Sequence, residues 1–209
     1  MSINVFGLFP TPLLESSLGR DLTHDELVFV NHLKKDTREN RASGNSSSTL
    51  KYVLNCPELS EIQKFIQHHL DFYVDNILNP THELKVHVTQ SWINWTDKGQ
   101  GHHKHYHRNS FLSGVFYINA DTETDKLYFA KETNSQFIDI AINSKDFNIF
   151  NSEKWWMPAS TGKLYIFPSG TRHFVEPVIT DETRISLAFN TWFSGTVGND
   201  EELTLLTTN

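Results

Sequence analysis

Gly101-His102-His103-Lys104-His105-Tyr106-His107 places four histidines between positions 102 and 107, and what they can do together depends on the backbone beneath them. On a strand, side chains alternate between faces. His103, His105 and His107 then share one face, while His102, Lys104 and Tyr106 share the other. Two imidazoles two positions apart lie roughly 6–7 Å apart at Cα, at about 3.3 Å rise per residue. Both can converge on one ion at roughly 2.0–2.2 Å. Alternation alone does not choose between His103/His105 and His105/His107. A third ligand must come from a distant strand, and His173 is the best candidate. It follows Lys163-Leu164-Tyr165-Ile166-Phe167, which reads as a strand, and Pro168-Ser169-Gly170, which reads as a tight turn.

The surrounding sequence supports a strand. From Glu83 onward β-branched and aromatic residues dominate, interrupted by Gly, Asn, Asp and Pro. Strands are predicted at 84–96, 103–107, 111–119, 126–130, 137–142, 155–159, 163–167, 174–179 and 184–193. Before them the pattern is helical. Thr23-His24-Asp25-Glu26 is a capping box, and Leu27, Val30 and Leu33 follow near helical spacing, predicting a helix over 24–38. Leu59, Ile62, Ile66, Leu70, Tyr73 and Ile77 predict a second helix over 58–78, all on one face. The polar stretch 41–49 reads as a loop, and residues 2–18 as an extended lead-in with a Phe9-Pro10-Thr11-Pro12 corner. The expected organisation is one domain, mainly β with N-terminal helices. Residues 1–82 support a β core over 83–193, and a polar tail over 194–209 packs on a sheet edge or on a second subunit of a homodimer.

Composition narrows the function classes. The chain has 209 residues, 25 acidic against 18 basic, for a net charge of -7. That balance argues against nonspecific binding to nucleic acid or anionic membranes. The single cysteine, Cys56, permits no internal disulfide, and no apolar run approaches a membrane span. The N-terminus lacks a basic region and holds two prolines, unlike a signal peptide. The expectation is a soluble, cytoplasmic protein.

Arg184 lies eleven positions after His173, with Ser186 on the same face of the strand predicted there. An arginine pointing into a β core needs an anionic partner, because an unpaired buried charge is costly. A small dicarboxylate would supply one through a paired guanidinium contact that lysine does not match. A structural ion pair with Asp181, Glu182 or Glu176 would serve equally.

Taken jointly, His-x-His, the distal His173 and Arg184-x-Ser186 resemble the Fe(II)/2-oxoglutarate oxygenase superfamily, whose usual order is His-x-Asp/Glu, a distal His and Arg-x-Ser. More closely, the chain is similar to a group of 2-oxoglutarate/Fe(II) oxygenases common in phages and marine bacteria. The matching stretches are Phe9-Pro10-Thr11-Pro12, Ser91-Trp92-Ile93-Asn94, Gly99 to His107 and Leu112 to Ile118. They continue with Ile166-Phe167-Pro168-Ser169, His173, and Arg184-Ile185-Ser186-Leu187-Ala188-Phe189-Asn190. The resemblance implies a double-stranded β-helix (a jelly-roll, cupin-like barrel) and a phage-encoded or bacterial intracellular origin. It assigns the ligand pair to His105 and His107 with His173 as third ligand, and leaves His102 and His103 as supports behind them. It further implies Fe(II) and 2-oxoglutarate, the latter held by Arg184 and Ser186, with Asn94 or Tyr117 adding a hydrogen bond. O2 would then oxidise an unknown peptide or small molecule while 2-oxoglutarate is decarboxylated. The chain departs from the pattern in two places. Arg108 stands where the group often has Pro, and His107 replaces the usual acid, so zinc could compete for the site.

A second resemblance stands beside the first. Gly99-x5-His105-x-His107 is similar to the start of the first cupin motif, and Gly162-x5-Pro168-x-Gly170-x2-His173 to most of the second. It implies the same barrel but a metal dioxygenase or isomerase that needs no 2-oxoglutarate. A non-enzymatic β-barrel module with a vestigial metal site is the third expectation. The Trp92, Trp95, Trp155, Trp156, Phe111 and Phe174 side chains are divided between core and acceptor pocket. Of the adjacent Trp155 and Trp156, one must point outward or into a groove.

Overall fold

The computed structural model of the chain describes residues 2–131, 141 and 145–208. The strand predicted at 137–142 falls, but for residue 141, outside the described residues. In chain order the elements are β1 (Leu14–Ser17), α1 (His24–Leu33), β2 (Thr37–Glu39), β3 (Ser46–Ser48), α2 (Ser60–Tyr73), β4 (Leu84–Thr96) and β5 (His102–His105). There follow β6 (Leu112–Asn119), β7 (Lys126–Ala130), β8 (Lys154–Pro158), β9 (Lys163–Pro168), β10 (His173–Val175), β11 (Arg184–Val197) and β12 (Leu206–Thr208).

The strands form two antiparallel sheets. The larger runs β1-β9-β6-β11-β4-β3-β2, with β12 on β11, and the smaller runs β5-β10-β7-β8. The large sheet is covered on both faces, so its central strands are apolar at successive positions rather than at alternate ones. On one face Ile93, Trp95, Phe116, Ile118, Leu164, Ile166, Leu187 and Phe189 pack against α2. On the other, Tyr117, Tyr165 and Phe167 meet Leu127 and Phe129 of the small sheet. The cavity described below lies between the two sheets.

The helices behave as the sequence predicts, with two differences. Thr23 caps α1, its hydroxyl accepting from the Glu26 N–H at 3.2 Å while the Glu26 carboxylate accepts from the Thr23 N–H at 2.7 Å. The helix ends at Leu33 instead of 38, because Thr37–Glu39 pairs with Ser46–Ser48 as a hairpin. The stretch read as a loop at 41–49 is therefore partly strand. The helix predicted over 58–78 begins as a short 3-10 turn, Pro57–Leu59, and ends in a π turn, Val74–Leu78. Leu59, Ile62, Ile66, Leu70 and Tyr73 are fully buried. The π turn rotates the face, and Ile77 ends up 38% exposed.

The tail packs within its own chain, β12 pairing with Gly195–Val197 of β11. Among the described residues no helix is long and apolar enough to cross a membrane.

Candidate metal and cosubstrate site

The histidine stretch does not keep simple strand alternation. His173 of β10 pairs with His105, and Val175 pairs with His102. Two steps on β10 thus face three on β5, which is a β-bulge. The extra residue brings His102 and His105 to the same side, and both line the cavity. His103, expected to share a face with His105 and His107, is exposed. Its Nδ1 lies 3.0 Å from the Ser43 hydroxyl. The strand stops at His105, so His107 reaches the same cavity from the segment beyond it rather than by alternation.

The ligand-type nitrogens of His105, His107 and His173 lie within 4.8 Å of one another, and these residues could hold a metal ion. His107 Nε2 and His173 Nε2 are 3.3 Å apart. Two nitrogens each roughly 2.1 Å from one ion stand about 3 Å apart, so the spacing suits a shared ion. Backbone carbonyls set two of the tautomers. His105 Nδ1 donates to the His103 carbonyl at 2.7 Å, and His173 Nδ1 donates to the Thr171 carbonyl at 2.9 Å. A carbonyl only accepts, so Nδ1 carries the proton and Nε2 presents its lone pair. Burial, then the neighbouring imidazoles, pushes His173 down to about 3 and His107 to about 4, and burial lowers His105 as well. All three are neutral at pH 7, the form that binds metal. The Asn190 side chain beside His107 opposes that lowering.

His102 stands beside these residues, its ring 4.5 Å from that of His105 and its Nδ1 3.5 Å from Asn45 Nδ2. The nitrogens of His102, His103 and His105 form a second close triplet, but His105 Nδ1 is already engaged by the backbone.

Among the described residues, no carboxylate lines the cavity. The cavity, about 230 Å³, is lined by the histidines together with Trp92, Asn94, Tyr117, Phe174, Arg184 and Ser186. The register explains the convergence: Ser186 pairs with Asn94 on one side and with Tyr117 on the other, so the three share a row across β4, β11 and β6. Burial raises the Tyr117 hydroxyl well above its ordinary value, keeping it a neutral donor. Arg184 is 4% exposed, and its Nη1 donates to Asp125 Oδ1 at 3.0 Å. Its Nη2 is buried with no hydrogen-bond partner among the described residues. Of the acids named from the sequence, Asp181 pairs with Lys98 and Glu176 with Lys154; the partner of Arg184 is instead Asp125, from the turn before β7. Asp125 and Asn190 are the two functional neighbours that sequence reasoning missed.

The aromatic residues divide. Trp92 lines the cavity, Phe174 borders it while its ring stacks on Tyr128 of the small sheet, and Trp95 and Phe111 belong to the core on the helix side. Trp155 and Trp156 are 40% and 44% exposed, and Trp156 takes the outer face of the small sheet under the Lys126 ammonium.

Comparison with known proteins agrees with this geometry. The chain is similar in structure to an oxidoreductase of the 2OG-Fe(II) oxygenase family from Burkholderia pseudomallei, at 14% identity and a TM-score of 0.56, covering 87% of this chain and 83% of that one. A prolyl-4-hydroxylase from Pseudomonas putida matches at 13% identity and a TM-score of 0.56, covering 88% and 92%. HygX from Streptomyces hygroscopicus, solved with nickel, 2-oxoglutarate and hygromycin B bound, matches at 10% identity and a TM-score of 0.56, covering 87% and 82%. At these identities the likeness speaks to the fold. No curated protein sequence matches significantly. Residues 90–190, which hold every candidate ligand and cosubstrate residue, match the model of the family described as "Putative 2OG-Fe(II) oxygenase".

Proposed function

We propose that this protein is an Fe(II)- and 2-oxoglutarate-dependent oxygenase built on a double-stranded β-helix, with His105, His107 and His173 holding the metal and Arg184 holding the cosubstrate. The observation that carries the reading is the buried Arg184 Nη2, which has no partner while Nη1 is tied to Asp125. A buried guanidinium donor left unpaired is costly. A carboxylate at the cavity wall would accept from it, and three neutral imidazoles line the same cavity.

Each residue then has a physical task. The three Nε2 atoms supply neutral donors, and with no carboxylate in the set the ion keeps its full double charge. The cosubstrate's two carboxylates balance that charge. Asp125 neutralises Arg184 and aims Nη2 into the cavity. Ser186, Asn94 and Tyr117 offer hydrogen bonds along one row of the large sheet. Phe167, packed edge-on against His173, excludes water from the metal side. When bound, Fe(II) and 2-oxoglutarate supply the oxidising power, O2 converting 2-oxoglutarate to succinate and CO2 as a second substrate is oxidised. A cupin-like reaction without 2-oxoglutarate leaves the Arg184 donor unused and is not favoured.

The test is succinate release from 2-oxoglutarate by the Fe(II)-loaded chain in air. Turnover should require both iron and 2-oxoglutarate, and His173→Ala should lower it by orders of magnitude. Succinate formation equal in wild type and His173→Ala would refute the assignment.

A further inference from the structure

The cavity does not end at the histidines. Trp92, Asn94 and His102 also line an adjoining open groove of about 740 Å³, whose outer walls come from the β2–β3 hairpin and the segment after it. Three cations line that groove, Arg38, Arg41 and Lys51, against one carboxylate, Glu39. Seven ion pairs form among the described residues, and none of them includes Arg38, Arg41 or Lys51. In a chain with 25 acids and 18 bases, three cations left unpaired beside one carboxylate run against the balance of the whole. Lys51 is half-buried and donates to the Ser48 carbonyl. Its ammonium is held below its ordinary range by burial and by repulsion from Arg38, and an anion in the groove would relieve both.

The register ties the groove to the site. Arg38 pairs with Ser47, Ser47 with Asn94, Asn94 with Ser186, and Ser186 with Tyr117. Directly opposed residues in antiparallel strands face the same way, so Arg38 begins a row that ends among the proposed cosubstrate contacts. Two strand spacings separate Arg38 from Asn94, roughly 10 Å at about 4.8 Å each. A small molecule can bridge that span.

We propose that the primary substrate carries a phosphoryl group seated on Arg38, Arg41 and Lys51, with its body along Trp92 and Asn94 and its oxidised carbon facing His105, His107 and His173. This rests on the oxygenase reading above. Three cations and Glu39 leave the groove two charges positive. A phosphate monoester carries about -1.5 to -2 at pH 7 and presents three acceptor oxygens. Two guanidinium forks and an ammonium match that set, whereas a single carboxylate leaves charge unbalanced.

Inorganic phosphate is the probe. Titrated by calorimetry at low salt into the metal-free full-length chain, it should bind at one saturable site. Arg38→Gln/Arg41→Gln should weaken binding by at least about tenfold, as loss of charge-assisted contacts implies. Both arginines are exposed, so the variant should keep its circular dichroism and still bind Co(II) and 2-oxoglutarate with an unchanged visible spectrum. Phosphate should bind equally well in the presence of saturating 2-oxoglutarate. Absence of saturable binding, equal binding by the double variant, or displacement by 2-oxoglutarate would each overturn the proposal. Succinate release reads the oxygenase assignment separately: phosphate binding without turnover would sink that reading and leave the anion site standing, and turnover without phosphate binding would do the reverse.

Discussion

Arg184 carries its charge in a side chain that is 4% exposed, and among the described residues Asp125 is the carboxylate paired with it. Asp125 Oδ1 takes the guanidinium, while Oδ2 accepts the Asp121 N–H at 2.9 Å, so the carboxylate is itself held in place. Removing one partner of a buried pair leaves an uncompensated charge, typically at about 3–5 kcal/mol. Asp125→Asn should therefore lower the midpoint of thermal unfolding and weaken 2-oxoglutarate binding, and added 2-oxoglutarate should recover part of the lost stability. An unchanged melting temperature and an unchanged affinity would show that Asp125 does not position the arginine. In the sequence, spacing left the His-x-His pair open between His103/His105 and His105/His107 and only the family resemblance chose, whereas His173 after its turn and Arg184 eleven positions on were legible as candidates. Asp125 was not, since it sits 59 residues from its partner in a turn with no motif of its own. Asn190 was visible as the end of Arg184-Ile185-Ser186-Leu187-Ala188-Phe189-Asn190, but its contact with His107 depends on how the chain leaves β5.

At the scale of elements, the bulge in β5 is what strand alternation failed to anticipate. Period-two reasoning assigns faces only while both strands count residues together, and one extra residue moved His102 into the cavity and His103 out of it. The hairpin β2–β3 was hidden for a different reason. Its serine-rich strand has turn composition, and pairing with β4 overrides that local preference. Two elements make testable predictions. Gly114 on β6 opposes Phe189 on β11, and a Cβ there would lie 2.2 Å from Phe189 Cζ and 2.7 Å from the Tyr165 carbonyl oxygen. Gly114→Ala should cost about 1–3 kcal/mol in chemical denaturation, because the backbone cannot yield. At α1, the Arg20 hydrogen bond and the Thr23 contacts hold the Glu26 carboxyl below its ordinary value. A lowered folded value means that stability is gained above the unfolded value, about 4.3, and lost as pH falls through the lower folded one. Glu26→Gln should thus cost about 1 kcal/mol near neutrality, the size of a cap interaction. The difference from wild type should shrink below about pH 4; a difference independent of pH would contradict the account.

For the whole molecule, the large sheet is a shared wall. Its helix side carries the main core, and its other side carries the row of Asn94, Ser186 and Tyr117 proposed to hold the cosubstrate, so folding and site assembly are coupled through the same strands. That division shows in β6 and β9, where buried residues follow one another instead of alternating, whereas the tail's docking on β11 was not legible in the sequence, since Leu206–Thr208 has no pattern that names its partner. Coupling predicts stabilisation by ligand. Co(II) with 2-oxoglutarate at about a hundred times the dissociation constant should add about 2.7 kcal/mol, seen as a rise in melting temperature that a chelator reverses. The most direct test of the central claim is anaerobic titration of 2-oxoglutarate into the Fe(II)-loaded protein, followed in the visible spectrum. The account predicts a charge-transfer band that saturates at one 2-oxoglutarate per chain, is absent in His173→Ala, and requires far more 2-oxoglutarate in Arg184→Ala. No band in the intact protein, or an identical titration in Arg184→Ala, would contradict it.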